Sequence, residues 1–143
     1  NRGSEISLGG SSAISSASLT NTIISGNCNL SDADSLVSKG GNIESMGNSC
    51  SFNHPSDKVS VSASGLGLKP LQRSTGATPS HPLNRVSAAR AAGVPAICQA
   101  LPVDQLFRPR PPVCSAGAVS WGILFADGLE SGYSLGSDID FQP

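Results

Sequence analysis

The sequence predicts an all-β chain: a parallel β-helix, or β-solenoid, over residues 1–65, followed by an irregular Pro/Gly-rich cap and tail of the same domain over 66–143. Three observations lead there. Hydrophobic residues make up 38% of the 143, yet aromatics are 4% and charged residues 13%, with 16 glycines. A helical bundle needs Glu, Lys, Leu and Ala at helical spacing, whereas Ser, Gly, Asn, Thr and Val suit short strands joined by polar turns. Second, "NTIISGNC" from Asn21 is echoed by "NIESMGNSC" from Asn42: Asn21, Gly26 and Asn27 map onto Asn42, Gly47 and Asn48 at one offset of 21, and Cys28 maps onto Cys50 after one inserted Ser. Repeats of this length point to stacked coils. Third, the texture changes near Leu66, where Pro and Gly become frequent.

Along the chain, "SEISLGGSSAISSASL" alternates Ile6, Leu8 and Ile14 with small polar residues and reads as strands of the first coils. "NTIISGN" is a strand between two turns, and its expected partner is the equivalent segment one coil on, "NIESMGN". The repeat leaves open which of Ile23 and Ile24 faces inward, because a one-residue slip reverses every face. "KVSVSAS" alternates Val59 and Val61 with Ser and gives another strand. "LGLKPLQRSTGATPSHPLN" reads as loop. "VSAARAAGVPAICQAL" has an alanine-rich stretch fit for one helical turn before Gly93-Val94-Pro95. "RPRPPVC" is extended, since proline supplies no backbone donor. A last strand is expected over 118–125. The second half caps the coils, because an open last coil exposes unpaired edges.

Cys28, Cys50, Cys98 and Cys114 form no C-x-x-C pair, and neither His54 nor His81 stands at a zinc-finger spacing from them. An even count without metal spacing implies two disulfides and an oxidising compartment. Three pairings are possible. The near-neighbour pairing, Cys28–Cys50 with Cys98–Cys114, is preferred: cysteines one coil apart would be stacked neighbours within disulfide reach. No stretch approaches the ~20 apolar residues that span a bilayer. No basic-then-apolar leader opens the chain. The expectation is a secreted protein, extracellular or on the cell surface, whose signal has been removed.

The net charge is −1 but unevenly spread. Lys58, Lys69, Arg73, Arg85, Arg90, Arg108 and Arg110 face only Asp57 and Asp104 in the middle of the chain, while beyond Arg110 stand Asp127, Glu130, Asp138 and Asp140 with no basic residue. Such a chain could attract copies of itself. Sparse basic residues without interleaved aromatics exclude a nucleic-acid partner.

No catalytic set emerges. Asp32 and Asp34 in "LSDADSL" read as a polar turn. His81 would need a nucleophile or carboxylate partner to act as a base, and none is assignable; no G-x-S-x-G elbow occurs among the serines. Asp127 and Glu130 in "ADGLESG" are candidate calcium ligands, with Asp138 and Asp140 further on, though calcium wants six to eight oxygens. Beyond those two candidates no metal or cofactor is expected. Trp121 and Tyr133, the only Trp and Tyr, give few platforms for sugar stacking.

The order "GATPSHPL", "VPAIC", "DQLFRPRP", "C-x-x-GAV", followed by "LFADGLESG", resembles the C-terminal region of bacterial secreted right-handed parallel β-helix proteins, the choice-of-anchor Q group. The resemblance runs from about Leu19 to Gly132. It implies a right-handed β-helix at a bacterial surface, with one disulfide in the coils and one across the cap, and it carries over no catalytic residues. This chain departs from the pattern in three places: over Ser87–Gly93 an acid is lost, over Asp104–Phe107 an Arg is lost, and over Cys114–Ser120 two acids are lost. If those form a buried ion network, losing all members together is nearly neutral whereas restoring one alone is costly. The expected function is therefore a non-catalytic structural or adhesive protein, self-associating head to tail into a filament or continuing the coils of a longer chain. The alternative is a module that binds or cleaves polysaccharide.

Overall fold

The computed structural model describes residues 16–30, 35–73 and 78–121, and the backbone of 6–8. Seven short strands and two short helices are seen among them. The strands are β1 (Ile6–Leu8), β2 (Ser16–Leu19), β3 (Ile23–Ile24), β4 (Cys28–Leu30), β5 (Ser35–Ser38), β6 (Ile43–Ser45) and β7 (Lys58–Val61); the helices are α1 (Ala63–Leu66) and α2 (Pro95–Ala100).

All named strand pairs are parallel. β1 pairs with β4, β2 with β5, and β6 lies between β3 and β7. Parallel pairing over so few residues forces the partner to be a segment one turn of chain away rather than across a hairpin. Thus "NTIISGN" does pair with "NIESMGN": Ile23 lies opposite Ile43 and Ile24 opposite Glu44. The structural offset is 20 residues, not the 21 of the sequence echo. Asn21 (φ 51°) consequently matches Gly41 (φ 70°), both left-handed, while Asn42 slides in beside Thr22 and accepts its amide hydrogen on Oδ1 at 3.0 Å.

The expectation of an all-β parallel β-helix is corrected. The described strands are two to four residues long and fall into separate two- and three-stranded parallel sheets, with no continuous or closed solenoid sheet. The stacking does not propagate. Between β6 and β7 the register slips, Ile43 facing Lys58 but Ser45 facing Val61, and Ser60 sits at φ 55° in the bulge. Past Val61 the proline-rich chain cannot supply a ladder of donors. It makes isolated antiparallel bridges instead, Leu68 to Leu83, Gln72 to Ser80 and Val103 to Pro109, and two helices break the all-β class.

Two further expectations change. The helical turn foreseen before Gly93 forms after it, as α2, because Pro95 stands at the first helical position where its missing N–H costs nothing. The final strand foreseen over 118–125 is absent from its described part, 118–121, which runs through bends; the rest lies outside the described residues. α1 is closed at both ends, Ser62 Oγ accepting from Gly65 N and Gly67 (φ 59°) ending it in the left-handed region.

The core has two clusters on opposite sides of β3. Ile43, Leu66, Leu83, Ala89, Ala92 and Ala116 form one, with Ile23 and Trp121 packed on it. Ile24, Cys28, Cys50 and Phe52 form the other, with Leu19, Leu30 and Leu36. Ile23 and Ile24 therefore both face apolar packing, in opposite directions, which is why alternation gave no single inward face. Arg90 sits over Trp121, its guanidinium carbon 3.4 Å from the ring centre, where charge and ring quadrupole attract.

Candidate functional site

The cysteines sit where the two halves of the chain need closing. Cys28 is bonded to Cys50 and Cys98 to Cys114, and all four are buried. The first joins β4 to the loop after β6; the second ties α2 to the Pro-rich segment and closes a loop of 16 residues' separation. Gly93 is packed so tightly behind the second that an added Cβ would come within 2.8 Å of Cys114 Sγ and 2.9 Å of its carbonyl. Two disulfides fit a protein that matures in an oxidising compartment. No helix among the described residues is long and apolar enough to cross a membrane. The calcium candidates Asp127 and Glu130, like Asp32 and Asp34, lie outside the described residues; among the described residues no three His, Cys, Asp or Glu gather as a metal site would require.

The three described carboxylates all accept hydrogen bonds from backbone amides. Glu44, with no exposed surface, accepts from Ser49 N (2.7 Å), Ser49 Oγ (2.6 Å) and Cys50 N (3.1 Å). Asp57 accepts from Asn42 N (2.9 Å), Ser38 Oγ (2.6 Å) and His54 N (2.9 Å). Asp104 accepts from Leu106 N (2.8 Å), Arg108 N (3.0 Å) and Ser120 N (3.0 Å). Each anion is satisfied by fixed donors, the condition under which a buried charge is tolerated without a counter-ion. Arg110 is the mirror image. Its guanidinium donates to the carbonyls of Gly117 (3.2 Å) and Ala118 (3.1 Å) and to Ser120 Oγ (3.1 Å).

Asp104 and Arg110 together build one conspicuous surface feature. Val103 and Pro109 pair antiparallel, Asp104 N donates to Arg108 O, Arg110 N donates to Pro102 O, and Phe107 N returns to Asp104 O. The result is a tight hairpin with Leu106 buried beneath it and Phe107 at its tip, 72% exposed. Phe107 has φ 60°, a conformation disfavoured for a bulky side chain and held only where the surroundings over-determine it. Leu101, Val103 and Val113, on the same disulfide-closed loop, are also exposed. Burying a Phe is the usual outcome; holding one outward on a strained, hydrogen-bonded tip is what a contact residue requires.

A groove of about 430 Å³ adjoins the base of the hairpin, walled by Asn21, Ile23, Leu68, Leu83, Gln105 and Val119. Among the described residues its lining carries no carboxylate, Lys or Arg. Ser80 and His81 line it too. His81 Nδ1 is engaged with the carbonyl of Lys69 at 2.8 Å, and Ser80 Oγ is buried without a hydrogen-bond partner among the described residues. No hydrogen bond joins the two side chains, so the arrangement lacks the nucleophile–base contact that activates a serine. His54 is taken up in its own turn with Ser56.

The motif "DQLFRPRP" stands out in the sequence, but Phe107 as its exposed point does not, and neither do Glu44 and Asp104 as backbone staples. The signal available was Asp104-Gln105 followed by the apolar pair Leu106-Phe107 between Pro102 and Pro109: an Asp that can fold back on amides two and four residues on, with prolines limiting both arms. No family model, no curated protein and no solved structure matches this chain.

Proposed function

We propose that the chain is an extracellular or cell-surface module that works by contact, structural or adhesive, and not by covalent chemistry. The observation that carries this reading is Phe107, held in the left-handed region and 72% exposed on a hairpin whose every turn is hydrogen-bonded. A rigid aromatic anchor loses little conformational entropy on binding and is the residue type that dominates interface energetics. The two disulfides support placement outside the cytoplasm. The motif order that resembles choice-of-anchor Q proteins supports a bacterial surface as the setting.

The test is adhesion of beads carrying the full chain to surfaces coated with extracellular glycans, with matrix proteins or with the chain itself. Wild-type beads adhere to at least one, and Phe107→Ser beads lose that adhesion. Chain-dependent depolymerisation of an acidic polysaccharide, undiminished in Phe107→Ser, would sink the reading. The uncharged groove beside the hairpin favours a second reading, recognition of a neutral sugar. A glycan array would then report binding that Leu83→Trp, filling the groove, removes while Phe107→Ser does not.

A further inference from the structure

We infer that the partner of the Phe107 hairpin is a second copy of this chain, docked through its acidic stretch 122–143. This rests on the contact reading of Phe107 and gives it an occupant.

Charge and apolar complementarity single out that occupant. Among the described residues stand eight Lys and Arg but only Glu44, Asp57 and Asp104 as acids. Those three are consumed by backbone amides and hydroxyls. Lys39, Lys69, Arg73 and Arg85 are exposed, and no salt-bridge partner remains for them among the described carboxylates. Arg108, beside Phe107, makes no side-chain hydrogen bond among the described residues, unlike Arg110, whose guanidinium is saturated by carbonyls. The described body is thus a cationic surface with an aromatic point. Residues 122–143 have the inverse chemistry: four acids, no Lys or Arg, and Phe125, Leu129, Tyr133 and Phe141 set among them. Opposite fields steer encounter and fix orientation, while apolar anchors supply most of the affinity.

Against the described residues Phe107 remains 72% exposed, and a second molecule supplies the group that covers it. The two patches differ, so the contact is heterologous: each copy offers one hairpin and one acidic stretch. Such contacts run on into chains unless the rotation closes them into a ring.

Analytical ultracentrifugation of the full chain over a concentration series tests this, with the disulfides intact. The weight-average mass rises with concentration at low salt and falls back toward the monomer at high salt. Phe107→Ser and, separately, Arg108→Glu each weaken association by at least about tenfold. A synthetic peptide of residues 122–143, added in excess, dissolves the oligomer. A circular-dichroism spectrum matching wild type shows that each variant is folded. A wild-type chain monomeric throughout, or association indifferent to both substitutions and to the peptide, overturns the inference. Should the chain be monomeric yet its beads still adhere through Phe107, the partner named here is wrong and the contact reading stands.

Discussion

Asn42 shows how a domain with few aromatics stays folded. It is fully buried, and it uses both side-chain donors, to Leu19 O (3.0 Å) and Ser38 Oγ (2.8 Å), while its oxygen accepts from Thr22 N. It therefore ties β2, β5 and the residue that leads into β3 together beside buried Ile43. Asn42→Ala strands those groups away from water and should lower stability by about 2 kcal/mol, read from urea unfolding with disulfides intact. Gly41 is constrained differently. A Cβ there would collide with Asn21 Oδ1 and lie 2.9 Å from Ala92 O, at φ 70°. Asn21 cannot retreat, because its Oδ1 holds Val94 N at 2.7 Å. Gly41→Ala is expected to cost about 1–3 kcal/mol in the same measurement.

At the scale of elements, the hairpin and the β-layers are secured by different means, so they should fail separately. Asp104→Asn turns one accepting oxygen into a donor facing an amide. Faster hydrogen exchange at Leu106, Arg108 or Ser120, the three amides that Asp104 binds, is the expected sign, with a stability loss of about 1–3 kcal/mol and weakened Phe107-dependent adhesion. The paired substitutions Cys98→Ser/Cys114→Ser and Cys28→Ser/Cys50→Ser should each cost about 3 kcal/mol. Only the first pair should impair adhesion, because it alone closes the loop that carries Phe107. The sequence showed one strand pairing of the first half, β3 with β6, since an apolar strand between "N" and "GN" recurs. It misled on the chain beyond β7. A repeat of two units says nothing of a third, and the bulge at Ser60 that ends the stacking leaves no mark in "KVSV" beyond a serine at a position where any small residue fits. The hairpin was hidden for another reason. Its geometry depends on Ser120, sixteen residues from Asp104, and no local pattern reports a contact of that span.

Taken whole, the molecule divides its charge by location. The acids of the described body are engaged by backbone amides, several cations such as Lys39, Lys69, Arg73 and Arg85 are exposed, and the last 22 residues carry acids as their only charged side chains, so a sequence pI near 6.1 conceals an uneven distribution. Retention on a cation-exchange resin near neutral pH is the expected consequence despite a net charge of −1; passage through such a resin would show that the cationic face is covered.

The stack of Arg90 on Trp121 carries a practical consequence. The chain contains one tryptophan, and it is packed against the cluster of Ile43, Leu66 and Ala116 under a guanidinium. Its emission therefore comes from a single, known junction, the place where the turn around Arg90 meets the β-layers. A shift of that emission to the red records the parting of this junction and is blind to the Phe52 cluster around Cys28–Cys50. Intrinsic fluorescence thus gives the protein a built-in optical gauge of whether its two halves are still clasped.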